Sequence, residues 1–240
     1  DWSSDVCSSD LTWASISTLP EYLMPPPDRF MINALQLPSL YLVTNGPGGV
    51  PLEYYLATLE DCLKAGARLV QLRGQDKFYR SNQAVITHTL AVCQRYDARL
   101  MLNSDPAMAA NMGAHGVHLS ARSLMQLDQH PLDKSFLLAA SCHNRQELEQ
   151  AGRIGADFAV LSPVMHTASH PGAKPLGWDK FKELVEYADV PVYALGGMQA
   201  HHLEESWQYG GQGIAMLSAV WSAATPAEVV LSCAQHPGSL

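Results

Sequence analysis

Histidine, arginine and small polar residues recur in this sequence where short apolar runs end. Thr44 and Asn45 stand at the end of LYLVT, Gln71 and Arg73 close RLVQLR, and Asn103 closes RLMLN. His118 and Ser120 lie in HGVHLS, Ser141 and His143 straddle the end of FLLAASC, and Ser162 closes DFAVLS. Taken singly, a Ser or Asn at such a place commonly caps the next helix. Taken together, they are a set suited to proton transfer and anion binding. His143, in Ser141-Cys142-His143, is the candidate acid/base, because imidazole titrates near neutrality and both takes and gives a proton. Gln71, Arg73, Asn103, Ser141, Ser162 and Thr167 are the candidates for orienting a ligand through hydrogen bonds and charge. The loop ALGGM (Ala194–Met198) brings Gly196 and Gly197, and LSAVW (Leu217–Trp221) brings Ser218 and Ala219. Backbone N–H groups in such loops cradle phosphate. His166, His170, His201 and His202 invite a metal reading, but His201 and His202 are neighbours, and adjacent side chains on a helix do not face each other. No metal site is expected.

The elements that must position these groups follow from the apolar pattern. The runs Leu40–Thr44, Arg68–Arg73, Arg99–Asn103, His115–Ser120, Phe136–Cys142, Asp157–Ser162, Val190–Leu195 and Gly213–Ser218 are short and nearly continuous. Parallel strands buried on both faces have this character. Segments of helical spacing lie between them, such as Tyr54–Ala65 and Arg145–Ile154. The expected fold is α/β, a (β/α)8 TIM barrel, whose working residues sit at strand C-termini and whose loops after strands 7 and 8 commonly hold phosphate. A doubly wound sheet of six strands would leave two of the runs without a place. Gly66, Gly113, Gly155 and Gly210 each end a helix before an even-numbered strand, which points to a βαβα repeat unit.

Composition narrows the partners. A formal net charge of -8 argues against nucleic acid or an anionic membrane, while leaving a small anion accessible to local N–H groups. The five cysteines form no CxxC pair, so reduced, mostly buried thiols in a cytoplasmic protein are expected. No apolar run approaches the ~20 residues that span a bilayer. Residues 1–11, DWSSDVCSSDL, have no hydrophobic periodicity and resemble read-through of a sequencing adapter; they are expected to be a non-native tail. Residues 12–37 carry Trp13, the run Pro25–Pro27 and a short helical pattern from Asp28 to Leu35. This stretch resembles the C-terminal end of a Nudix hydrolase, without that family's REx2EE metal-binding box. It implies a covalently fused upstream domain, with the barrel itself over residues 38–236.

Eight motifs carry a wider resemblance. QLR (Gln71–Arg73), LMLN (Leu100–Asn103), GVHLS (Gly116–Ser120), ASCH (Ala140–His143) and SPVMHT (Ser162–Thr167) are followed by PLGW (Pro175–Trp178), ALGGM and GIAMLSAVW. In that order they resemble the thiamine phosphate synthase and thiazole tautomerase superfamily, from Leu40 to Trp221. The resemblance implies a small phosphorylated thiazole-type ligand. Synthases of the family use Mg²⁺ held by an Asp after the strand-3 Asn and another after strand 4. Ser104 and Ser123 occupy those positions here, and Asp105 is displaced by one residue and precedes Pro106. The family's lysines align with Gln75, near Lys77, and with His170 in the loop HTASHPGAKP, which reads as a lid. A hard cation prefers charged oxygen ligands. The main expectation is therefore a tautomerase-like proton shift by His143 with no cofactor. The alternatives are a Mg²⁺-dependent synthase joining pyrimidine pyrophosphate to thiazole phosphate, and a non-catalytic ligand-binding module fused to a Nudix hydrolase. A homo-oligomer is left open.

Overall fold

The computed structural model describes residues 15, 18, 28–74, 76–167, 172 and 174–236, the side chains of residues 28–30 and 76–77 excepted. The expected non-native tail, Gln75 and His170 lie outside the described residues. Eight parallel strands close in sequence order into one barrel: β1 (Leu40–Thr44), β2 (Leu69–Arg73), β3 (Arg99–Asn103), β4 (Gly116–Leu119), β5 (Leu137–Cys142), β6 (Phe158–Leu161), β7 (Val192–Leu195) and β8 (Gly213–Met216). The fold is the expected (β/α)8 barrel. Its helices are α1 (Asp28–Gln36), α2 (Leu52–Lys64), α3 (Asp76–Ser81), α4 (Gln83–Arg95), α5 (Pro106–Asn111) and α6 (Ala121–Leu124). They continue with α7 (Arg145–Arg153), α8 (Gly177–Val185), α9 (His202–Gln208), α10 (Ser218–Trp221) and α11 (Pro226–Ala234). No helix among the described residues is long and apolar enough to cross a membrane.

Successive side chains of a strand point to opposite faces. Leu42, Val70, Leu100, Val117 and Leu138 accordingly join the layer between strands and helices. Tyr41, Leu69, Met101, Ala139, Phe158, Tyr193 and Ala215 fill the barrel interior. Three rings dominate that interior: Tyr41 meets Phe158 edge-on at 5.2 Å between centroids and Tyr193 at 5.8 Å. Such volume fits only where facing positions are small, as Ala139, Ala215, Gly116 and Gly213 are. Gly155, at the end of α7, has φ +74 with open space around it, so its role is the left-handed turn into β6.

The N-terminal end of the barrel is sealed. Leu37 is buried in the interior cluster. Gln212 Nε2 donates to the carbonyls of Ala34 and Leu37, both at 2.9 Å. Arg99 donates to Gln36 O at 2.9 Å, and the Tyr193 hydroxyl donates to Pro38 O. Helix α1 thus packs under the barrel through its own C-terminal carbonyls. Asp157 begins its apolar run but precedes β6, because its carboxylate accepts the Leu138 N–H at 2.7 Å. Chemistry is left to the opposite, C-terminal mouth.

A Cβ at Gly213 would overlap the carbonyl oxygen of Ser39, at the seam where β8 meets β1. Gly213→Ala should lower unfolding stability by about 3 kcal/mol or more, whereas Gly155→Ala should cost only about 1 kcal/mol. Urea unfolding of the two variants checks the difference.

Candidate active site

The strand period sorts the polar residues of the mouth. Gln71 and Arg73 share a face with Leu69, Asn103 with Met101, Ser141 with Ala139, and Ser162 with Phe158 and Val160. All point inward or lie one step beyond an inward position, and the register sets Arg73 beside Asn103. They form an arc over β2 to β6, with His118 between Asn103 and Ser141. The remaining strands close the ring with Val43, Leu195 and Leu217, all apolar. Two mouth residues have local duties instead. Thr44 faces away from the interior, and its hydroxyl accepts the Gly46 N–H at 3.1 Å. Ser120 caps α6, accepting the Ser123 N–H at 3.1 Å.

Hydrogen bonds fix the arc. Asn103 Nδ2 donates to His118 O at 2.9 Å, tying β3 to β4. His118 is buried, with Nδ1 at 3.1 Å from the Tyr41 hydroxyl and Nε2 at 2.8 Å from Ser141 Oγ. Burial, and secondarily the charge of Arg73, push its pKa down to about 3, so the ring is neutral at physiological pH. Arg73 itself is exposed and has no ion-pair partner among the described residues. Tyr41 escapes a reading of the sequence, since an inward tyrosine within LYLVT looks like core.

His143 sits outside this arc, at the entrance of α7. Asn144 caps the helix by accepting the Glu147 N–H at 3.0 Å, and Glu147 Oε2 accepts the His143 N–H at 2.6 Å. Asn144 thus caps α7 while Glu147 reaches back one residue beyond the N-cap, and together they fix the backbone at the exposed His143. His143 Nδ1 lies 2.8 Å from the carbonyl of Ser162. A carbonyl only accepts, so Nδ1 carries a proton, and in the neutral ring Nε2 is the nitrogen with the lone pair. Despite the Ser141-Cys142-His143 spacing, Ser141 bonds to His118, not to His143.

The loops after β7 and β8 stand across the mouth. The N–H groups of Gly197, Ser218 and Ala219 donate to no atom among the described residues. Trp221 Nε1 donates to Val43 O at 2.7 Å and anchors the short helix α10. The glycine pair has a packing role too. A Cβ at Gly196 would come within 2.9 Å of Pro163, and one at Gly197 would press on His166 O. Val164 and Met165 donate to Leu195 O and Gly196 O at 2.8 and 3.0 Å, while Leu176 and Gly177 return to Pro163 O and Val164 O, each at 2.9 Å. The β6–α8 loop carrying Thr167 is therefore closed at its base. Residues 168–171 and 173 of the expected lid lie outside the described residues.

The residues present do not fit a carboxylate-held Mg²⁺. Asp105 caps α5, accepting the N–H groups of Ala107 and Met108 at 3.0 and 3.3 Å. Ser104 donates to Asp105 O at 3.1 Å, and Ser123 Oγ lies 2.9 Å from Ser120 Oγ. Among the described residues, no group of three or more His, Cys, Asp or Glu is placed to hold a metal ion. The expectation that His201 and His202 turn apart needs correction. Their ring centroids are 4.1 Å apart, with His201 at the N-cap position of α9. His202 Nδ1 accepts the Gln199 N–H at 3.0 Å.

Residues 40–220 match the family model described as thiamine monophosphate synthase. The chain belongs to the thiamine monophosphate synthase family. A putative thiamine-phosphate synthase 2 of Aquifex aeolicus is 35% identical over 184 residues, covering 77% of this chain and 98% of that protein. A thiamine-phosphate synthase of Thermosynechococcus vestitus is 32% identical over 201 residues, covering 83% of this chain and 56% of that longer protein. The solved thiamine phosphate pyrophosphorylase of Pyrococcus furiosus superposes with a TM-score of 0.67 at 21% identity, covering 87% of this chain and 96% of that one, which supports the family's barrel. Nothing in the comparison shows a fused Nudix domain.

The buried, neutral His118 has a consequence for stability. Its pKa is low when folded and ordinary when unfolded, so between about pH 3 and pH 6.5 the unfolded chain binds the extra proton. Stability is full above the unfolded value and should fall by about 1.4 kcal/mol per pH unit below it from this group. Urea unfolding at pH 7 and pH 5 should show a shallower loss in His118→Gln than in the wild type.

Proposed function

We propose that this chain joins a pyrimidine pyrophosphate to a thiazole phosphate, forming thiamine phosphate. Its relatives carry the name of that reaction. The observation that carries the proposal is the division of the mouth: a hydrogen-bonding arc on β2 to β6 faces the amides of Gly197, Ser218 and Ala219, which donate to nothing among the described residues. The amides would take the thiazole phosphate, and Gln71, Asn103, Ser141 and Ser162 would orient the pyrimidine. One bond forms between the thiazole ring nitrogen and the pyrimidine's methylene carbon. The carbon–oxygen bond to pyrophosphate breaks, and pyrophosphate leaves with the electron pair. Arg73, a cation with no ion-pair partner among the described residues, would bind that anion and stabilise charge as it develops.

A second reading has its own support. Ser104, Ser123 and the capping role of Asp105 remove the family's carboxylates, while the Nε2 lone pair of His143 is available as a base. These favour a proton shift on a carboxythiazole phosphate, with Thr167 as a further candidate for binding it.

Formation of thiamine phosphate from the two precursors separates the readings. The wild type should form it, and Arg73→Ala should lower kcat/KM by roughly 10- to 100-fold, the range for a lost charge-assisted hydrogen bond. If the wild type forms none, yet isomerises the carboxythiazole phosphate in a manner abolished by His143→Ala, the second reading replaces the first.

A further inference from the structure

Just below the mouth, two buried side chains with no part in the proposed reaction lead by hydrogen bonds to Ser141. This hydrogen-bond chain links Tyr41 in β1, His118 in β4 and Ser141 in β5. The chain has a direction. Tyr41 is fully buried, and His118 Nδ1 is the partner of its hydroxyl at 3.1 Å. A buried phenol O–H left without an acceptor is strongly disfavoured, so Tyr41 donates to Nδ1. A neutral imidazole that accepts at Nδ1 carries its proton on Nε2. That N–H donates to Ser141 Oγ at 2.8 Å and occupies one lone pair of the hydroxyl. Ser141's own O–H then has no acceptor among the described residues, and the side chain lies on the inward face of β5 near its C-terminal end.

We infer that Tyr41 and His118 are positioning residues that fix Ser141 as a hydrogen-bond donor toward the mouth, so that this part of the site selects a planar substrate presenting an acceptor there, a ring nitrogen or a carbonyl-type oxygen. Burial of His118 supports the direction by keeping the ring neutral. A cationic ring would turn a second N–H against the phenol proton. The stacking of Tyr41 on His118, with centroids 5.8 Å apart and planes 29° apart, holds the two rings in register. The inference rests on the reading of this mouth as the substrate site, but the direction of the chain belongs to the protein alone.

Two measurements on the full chain test it. Nitrogen NMR of the ligand-free protein should show His118 with Nδ1 unprotonated and Nε2 protonated, a preference weakened in Tyr41→Phe. A wild-type His118 protonated at Nδ1 overturns the inference, whatever the protein binds. In calorimetric titration with pyrimidine pyrophosphate, Ser141→Ala and Tyr41→Phe should each weaken binding about tenfold, the scale of one hydrogen bond. The double variant should be no weaker than Ser141→Ala alone, because Tyr41 acts through Ser141. Losses that add independently overturn the relay. A wild type with the expected tautomer that binds neither substrate keeps the relay and refutes the function proposed for the mouth.

Discussion

A closed parallel barrel must fill its own interior, and here that filling determines where chemistry can happen. Tyr41, Phe158 and Tyr193 occupy the middle, set against Ala139, Ala215 and the two strand glycines, Gly116 and Gly213. Leu37 and the carbonyl end of α1 close the base. Chemistry is left to the C-terminal mouth, and the two-residue period of the strands then chooses which side chains reach it. The arc of Gln71, Arg73, Asn103, His118 and Ser141 is the consequence of that alternation applied to strands whose interior positions are already taken by rings.

Within the arc, polarity is organised by burial. His118 lies deep enough to be held neutral, and its two nitrogens connect a core tyrosine to a mouth serine. Asn103 ties its strand to the backbone beside that histidine. Charge enters the mouth through Arg73, while the β7 and β8 loops contribute backbone N–H groups that need no charged side chain. The family's barrel is kept, while Ser104 and Ser123 are engaged in local hydrogen bonds. Fold and site are thus separable, and function has to be argued from the residues of the site.

Much of this was legible in the sequence, for identifiable reasons. Parallel strands buried on both faces leave continuous apolar runs, so LYLVT and RLMLN gave strands with the expected bounds. Alternation brought Gln71, Arg73, Asn103 and Ser141 to one mouth. Thr44 and Ser120 were less transparent, because a turn and a cap compete locally for the same hydroxyl groups. The partner of Tyr41 lies 77 residues away, so nothing in its own run marks it as more than core. The tautomer of His143 depends on a carbonyl 19 residues along the chain, again invisible to spacing. The stretch before Leu37 bears no barrel signature, since α1 meets the barrel through backbone carbonyls, which no side-chain pattern announces. The metal question turns on Asp105, whose following proline suits a helix N-terminus and whose carboxylate caps it.

The central claim is that one mouth takes two substrates, and separate calorimetric titrations with thiazole phosphate and with pyrimidine pyrophosphate test it most directly. The account predicts that each binds, and that Arg73→Ala weakens the pyrophosphate far more than the thiazole. Binding of a carboxythiazole phosphate alone, with no heat from the pyrimidine pyrophosphate, would contradict it.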